Sequence, residues 1–128
     1  MNLTLDETLQ KGFEALKSGE LQEADKFFTA ILKALPKHPD ANHNMGVVAA
    51  TVGKNHEALL HFKVALDVKP SVPQFWLSYI NGLINTHQLN EARAVFNEAE
   101  LVGVKGKAFD KLEEKLVKAE QKLLEFQS

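Results

Sequence analysis

The chain has 128 residues, 45% of them hydrophobic and 25% charged, which is ordinary for one globular domain. Its formal charge is −2 and it has no cysteine, which excludes disulfides, thiolate catalysis and cysteine-bound zinc. Neither a secretory signal nor a run of roughly 20 apolar residues is present, so the sequence predicts a cytoplasmic protein without a membrane span.

Residues 5–38 predict a helix, a tight turn and a second helix. Apolar residues recur at helical spacing up to Gly19, and a second apolar stripe continues until Pro36. Gly12 has no side chain and Ala24 has only a methyl group, so the two helices should approach each other closely. Gly19 should adopt the left-handed conformation that ends a helix at low cost.

The same order of residues returns in 39–72 and, in part, in 73–106. The pairs that lie 34 positions apart are Gly12 and Gly46, Gly19 and Gly53, Ala24 and Ala58, Phe28 and Phe62, and Pro36 and Pro70, with Ala92 and Phe96 extending two of them. A fixed period of this length indicates a repeat array in which each unit is one pair of helices. Pro39 and Pro73 should open helices, where a missing N–H is harmless.

The units at residues 5–38 and 73–106 depart from this pattern. Thr8 and Lys11 are polar early in the first helix, as expected for an end unit that faces solvent. Ile80 stands where Gly12 and Gly46 stand, so the third helix pair should be spread or rotated. Val104 replaces the proline, which predicts a less sharp end to the last helix of the third unit.

A final helix is predicted for residues 107–126. Its narrow apolar stripe comprises Phe109, Leu112, Leu116, Ala119, Leu123 and Phe126, and its flanking basic face comprises Lys107, Lys111, Lys115, Lys118 and Lys122. The terminal helix of a repeat array covers the exposed face of the last unit, here Val95, Phe96 and Ala99. A two-stranded coiled coil is the alternative, although this helix has fewer than three heptads and would form only a marginally stable one.

The order of small residue, turn glycine, alanine, aromatic residue and proline resembles the tetratricopeptide repeat. The resemblance implies an all-α protein, a right-handed α-α superhelix of seven helices, with one domain over residues 1–128. It also implies a non-catalytic module that binds a protein or peptide in a groove lined by the first helix of each unit. The groove positions are Leu9, Phe13, Leu16, Lys17, His43, Asn44, Val47, Thr51, Leu77, Asn81, Ile84 and Asn85.

Some members of this family grip an acidic C-terminal tail with a clamp of lysines, an arginine and asparagines. Leu9 and Phe13 occupy the slots of the first lysine and asparagine, and Asn44 keeps the middle asparagine. Gln74 and Ser78 replace the other two cations. Without its cations the clamp would lose the charge-assisted hydrogen bonds that hold a carboxylate, so the sequence argues against it.

The remaining groove combines an apolar wall with a row of amides, which favours an extended or helical peptide segment. Two alternatives stay open. Some of these side chains could belong to the core of the array. The groove could also be filled by Met1–Leu5 or by a neighbouring protomer in a homo-oligomer, because large apolar patches rarely stay exposed.

No catalytic motif, cofactor motif or metal-ligand spacing is present, so we expect no enzyme activity, cofactor or metal site. His56 and His61 are five positions apart, about 140° around a helix, and do not share a face. The charge balance argues against nucleic acid. As an alternative function, residues 75–79 and 105–113 resemble the closing unit of bacterial arrays that precede glycosyl-, sulfo- or methyltransferase domains.

Overall fold

The computed structural model describes residues 2–127, which form seven α-helices and no strand. The helices are α1 (Leu5–Lys17), α2 (Leu21–Ala34), α3 (Pro39–Thr51), α4 (Asn55–Val68), α5 (Pro73–Asn85), α6 (Leu89–Leu101) and α7 (Lys107–Gln127). The all-α prediction and the expected number of helices are confirmed for this part of the chain.

The 34-residue period sets where four of the helices begin. The helices α1, α3, α5 and α7 start at Leu5, Pro39, Pro73 and Lys107, each 34 positions after the previous one. Both prolines lie in the first turn, as predicted. The helix α7 therefore begins in register as the first helix of a fourth pair.

The turn inside each pair requires a left-handed residue. Gly19 and Gly53 have φ angles of 77° and 83°, as the sequence predicts. His87 occupies the same slot 34 positions later and has a φ of 61°, the one positive φ outside glycine among residues 2–127. The period therefore places the turn even where glycine is absent.

The end of α6 differs from the expectation. Gly103 takes a φ of 96°, and the N–H of Val104 donates to the carbonyl of Ala99 at 3.0 Å. This pairing closes a helix sharply, and α6 is one residue shorter than α2 and α4. The prediction of a less sharp end at Val104 was wrong, because the left-handed Gly103 ends the helix where α2 and α4 end before a proline.

The chain divides into two compact units, Met1–Pro70 (unit 1) and Ser71–Ser128 (unit 2). That both belong to one domain over 1–128 stays a prediction.

In unit 1, Phe28 and Phe62 lie against the glycines of the partner helices. A Cβ atom added to Gly12 would lie 2.6 Å from Cε1 of Phe28, and one added to Gly46 would lie 2.5 Å from Cε1 of Phe62. The predicted close approach of the paired helices is confirmed.

Unit 2 is packed around larger side chains. Ile80 is fully buried at the slot that holds glycine in unit 1, and the backbones of α5 and α6 run close together over a shorter stretch. The third pair is spread, as predicted. The helix α7 packs against both α5 and α6, and the Phe109 ring stacks on Phe96 with 4.1 Å between centroids. The predicted covering of α6 by the last helix is confirmed.

Candidate peptide-binding surface

In unit 1 the first helices α1 and α3 pack directly against each other. Phe13 is 42% exposed on α1, and the ammonium of Lys17 lies 5.5 Å from the centre of its ring. Leu9 and Leu16 are half-buried against the core around Phe28. Phe13 and Lys17 are therefore accessible to a ligand, whereas Leu9 and Leu16 serve mainly the core of unit 1.

The helix α3 presents a mixed set of side chains. Asn44 and Val47 are half-buried, and the exposed Thr51 donates its hydroxyl proton to the carbonyl of Val47 at 2.7 Å. Phe13 and Val47 hold equivalent positions, 34 residues apart, on neighbouring helices. We call Phe13, Lys17, Asn44, Val47 and Thr51 the unit 1 face.

His43 points toward the protein interior. Its ring lies 5.4 Å from the Phe62 ring, measured between centroids, at an angle of 43°. Burial lowers the pKa of His43 below its ordinary value of 6.5, and a hydrogen bond with Asn44 partly offsets this. His43 is therefore neutral near pH 7 and carries no charge to a ligand.

In unit 2 the predicted groove residues have different roles. Ile84 is only 6% exposed, so it belongs to the core and its assignment to the groove was wrong. Leu77 is half-buried. The side-chain carbonyls of Asn81 and Asn85 both accept hydrogen bonds from Nζ of Lys115 on α7, at 2.5 and 2.9 Å. The structure therefore places a lysine against the predicted amide row.

From the sequence, Lys115 was predicted only to belong to a basic face of the last helix. The 34-residue period could have predicted its contact with Asn81. Lys115 lies 34 residues after Asn81, so it holds on α7 the position that Asn81 holds on α5. Burial lowers the pKa of Lys115 below its ordinary value, and no carboxylate acts against that shift. Its ammonium is therefore met by neutral oxygens.

A second polar cluster, also missed, lies inside unit 1. Asn42 is 3% exposed and donates from Nδ2 to the carbonyls of Pro36 and His38, at 3.0 and 2.9 Å. Its Oδ1 lies 3.1 Å from Nδ1 of His61. Because a carbonyl oxygen only accepts, Nδ1 of His61 carries the proton, and burial lowers the pKa of this imidazole. The cluster is structural: it fastens the loop after α2 to α3 and α4.

Two open clefts also lie in unit 1. The larger, about 350 Å³, is lined by Asp25, Thr29, Leu32, Lys33, Met45, Glu57 and His61. The smaller, about 280 Å³, is lined by Lys11, Glu14, Ala15, Ser18, Glu20, Glu23 and Phe27. Among residues 2–127 no three histidine, aspartate or glutamate side chains come together as metal ligands. Over the same residues no helix is both long and apolar enough to cross a bilayer.

Comparison with curated sequences gives one distant similarity. No protein-family model matches the chain. A stretch of 96 residues is 29% identical to the cellulose synthase 1 operon protein C of Komagataeibacter xylinus. The match covers 66% of this chain and 7% of that protein, so the chain spans only a small part of this relative's length.

Solved structures resemble the fold over most of the chain. The tetratricopeptide-repeat domain of Sgt2 from Aspergillus fumigatus matches with a TM-score of 0.77 and 19% identity, covering 96% of this chain and 81% of that one. The TPR2B domain of yeast Sti1 gives 0.79 and 17%, covering 92% and 97%. The first such domain of Spaghetti (RPAP3), bound to the HSP90 peptide SRMEEVD, gives 0.78 and 19%, covering 91% and 90%.

The fold and these likenesses define an α-helical repeat protein built from helix pairs. It has the fold of the tetratricopeptide-repeat domains that it resembles, three helix pairs followed by the covering helix α7, as the sequence predicted.

Proposed function

We propose that the protein is a non-catalytic module that binds a peptide segment of another protein. The segment lies against the first helices of unit 1, α1 and α3. The observation that carries this proposal is the unit 1 face, where Phe13 remains 42% exposed on α1 and half-buried Val47 holds the equivalent position on the neighbouring helix α3. An exposed aromatic ring on α1, with amide and hydroxyl side chains on the adjacent helix α3, suits a ligand with an apolar anchor residue and polar backbone contacts.

The chemistry of this face differs from that of a carboxylate clamp. The ring of Phe13 and the side chain of Leu9 occupy slots where a clamp has polar or charged side chains. One compared structure holds an HSP90 peptide that ends in two glutamates, a valine and an aspartate. For the unit 1 face we instead expect a ligand that presents an apolar side chain to Phe13 and Val47.

The test is selection of displayed random peptides of about 12 residues on the purified protein, followed by affinity measurement. Replacing Phe13 by Asp should weaken the selected peptides about tenfold or more, because the anchor loses its apolar partner. The matched control is Leu60→Asp, which also replaces an apolar side chain by aspartate, at a position that is 68% exposed on α4. Equal binding by Phe13→Asp and Leu60→Asp, or failure to select any peptide, would contradict the proposal.

The cytoplasmic location, the homo-oligomer and the groove filled by the chain's own N-terminus stay predictions, and Met1 lies outside the described residues. The alternative role, an arm of a bacterial transferase, also stays a prediction. The similarity to a small part of a much longer protein does not favour any transferase chemistry.

A further inference from the structure

The helix α7 carries its lysines on one side. At 100° per residue, the five lysines of the basic face fall within about 80° of the helix circumference, and all five are exposed. Lys115 lies at the edge of this stripe that meets α5, where it contacts Asn81 and Asn85. One edge of the stripe therefore borders α5, within unit 2, and we call this border between α5 and α7 the furrow.

The opposite wall of this furrow has no charge of its own. The helix α5 contains no acidic or basic residue in its 13 positions. On α7, Glu120 faces the other way and is paired with Arg93 of α6, at 3.0 Å between Nε and Oε2. Glu114 and Glu125 lie at the far edge of the stripe, roughly a quarter turn from Lys115. The contacts of the Lys115 ammonium across the furrow are therefore with neutral amide oxygens and not with a carboxylate.

The environment of Lys115 favours an acidic ligand. Its ammonium is partly desolvated and is held by two amide oxygens, which are neutral acceptors. A carboxylate would supply a charge-assisted hydrogen bond, which is roughly twice as strong as one to a neutral group. The amide N–H₂ groups of Asn81 and Asn85 add donors of the kind that a carboxylate oxygen accepts.

We propose that the furrow between α5 and α7 binds an acidic peptide segment, with one carboxylate at Lys115 between Asn81 and Asn85. The remaining lysines of the stripe attract the acidic side chains on either side of that carboxylate. An acidic occupant is inferred from charge complementarity, because five exposed lysines form one stripe on α7 and the edge of that stripe borders a helix without charge. This binding surface lies wholly in unit 2 and does not depend on the unit 1 face.

The test is fluorescence anisotropy with a fluorescein-labelled peptide of ten glutamates, and with ten glutamines as the uncharged probe. The intact protein should bind the glutamate probe in 50 mM NaCl and more weakly at higher salt, because ions screen exposed charges. Lys115→Gln should weaken the glutamate probe about tenfold, the effect of losing one charged hydrogen bond. Glutamine removes the charge and keeps a hydrogen-bond donor on a side chain of similar shape.

Two further variants keep the test decisive. Lys122→Gln makes the same change on the same stripe, roughly 10 Å along the helix from Lys115, and should weaken binding less than about threefold. Asn81→Asp places a carboxylate of the protein next to Lys115 and should also weaken the probe about tenfold, because it occupies the site from within. Thermal unfolding of each variant reports whether it remains folded.

Several results would overturn the proposal. Equal losses in Lys115→Gln and Lys122→Gln would mean that only the general field attracts the probe. Equal binding of the glutamate and glutamine probes, or no binding of the glutamate probe at 50 mM NaCl, would show that no acidic-peptide site exists here. Equally tight, Lys115-dependent binding of an oligothymidylate would show a polyanion surface rather than a peptide site. Phe13→Asp should leave the glutamate probe unaffected, which separates this proposal from the function proposed for unit 1.

Discussion

The pair α3–α4 in unit 1 and the pair α5–α6 in unit 2 share one register but are packed differently. At equivalent positions, unit 1 has Gly46 under the ring of Phe62, whereas unit 2 has the fully buried Ile80. Unit 1 has the buried, hydrogen-bonded Asn42 where unit 2 has the nearly buried ring of Trp76. The comparison teaches that the period fixes where helices begin and turn, whereas the spacing between paired helices depends on the side chains at these positions.

The largest expected effect is at Ile80. Replacing Ile80 by Ala should lower the free energy of unfolding by about 2–5 kcal/mol, because a fully buried side chain leaves a cavity. The matched change in unit 1, Gly46→Ala, adds an atom 2.5 Å from the Phe62 ring and should cost about 1–3 kcal/mol through overpacking. Urea unfolding measures both. A loss below about 1 kcal/mol for Ile80→Ala would show that the spread pair closes around the gap.

The next effect concerns the polar cluster of unit 1. Asn42→Ala removes the side-chain hydrogen bonds to Pro36, His38 and His61 and should destabilise the protein by about 2 kcal/mol, since buried polar atoms lose their partners. Urea unfolding again gives the value. An unchanged free energy of unfolding would mean that water replaces the amide and that the cluster does not stabilise unit 1. Asn44→Ala is the control on the same helix, where the side chain is only half-buried.

The smallest effect is at the ion pair between α6 and α7 in unit 2. The Arg93 guanidinium lowers the pKa of Glu120 below its ordinary 4.5. This pairing stabilises the protein fully above pH 4.5 and is lost as the pH falls through the lowered pKa. Glu120→Gln should therefore cost less than about 1 kcal/mol at pH 6, with the difference from the natural protein shrinking toward pH 3.

The control for this ion pair is Glu114→Gln, an exposed glutamate on the same helix. Unfolding curves at pH 6, 4 and 3 for the three proteins give the comparison. If Glu120→Gln and Glu114→Gln change the unfolding free energy equally at pH 6, the contact with Arg93 adds nothing to the docking of α7.

Most of the fold could be predicted because turns and helix starts depend on local chemistry. Pro39 and Pro73 fix φ at helix starts, and Gly19 and Gly53 supply left-handed turns, so the period is visible in the sequence. The sharp end of α6 depends on Gly103, whose φ is 96°, and not on the residue at position 104. The effect of this glycine is just as local and could have been predicted.

The candidate site was harder to predict, because it depends on which side of a helix is covered. On α5 the polar residues Gln74, Ser78, Asn81 and Asn85 share one narrow face, roughly 90° from Ile84, so the inward position of Ile84 could have been predicted from this spacing. The contact between Lys115 and Asn81 depends on how α7 lies on α5, which is a tertiary property. The contribution of Leu9 and Leu16 to the core was left open by the sequence for the same reason.

The helix α7 starts where a fourth pair would start, yet it runs to Gln127 without a turn. The slot that holds Gly19, Gly53 and His87 in the three pairs falls on Gln121. Left-handed backbone is unfavourable for glutamine, so the helix continues through this slot and leaves Phe126 89% exposed. A designer could therefore lengthen the array by one module: glycine at 121, with a copy of residues 88–104 in place of residues 122–128, would provide the missing second helix.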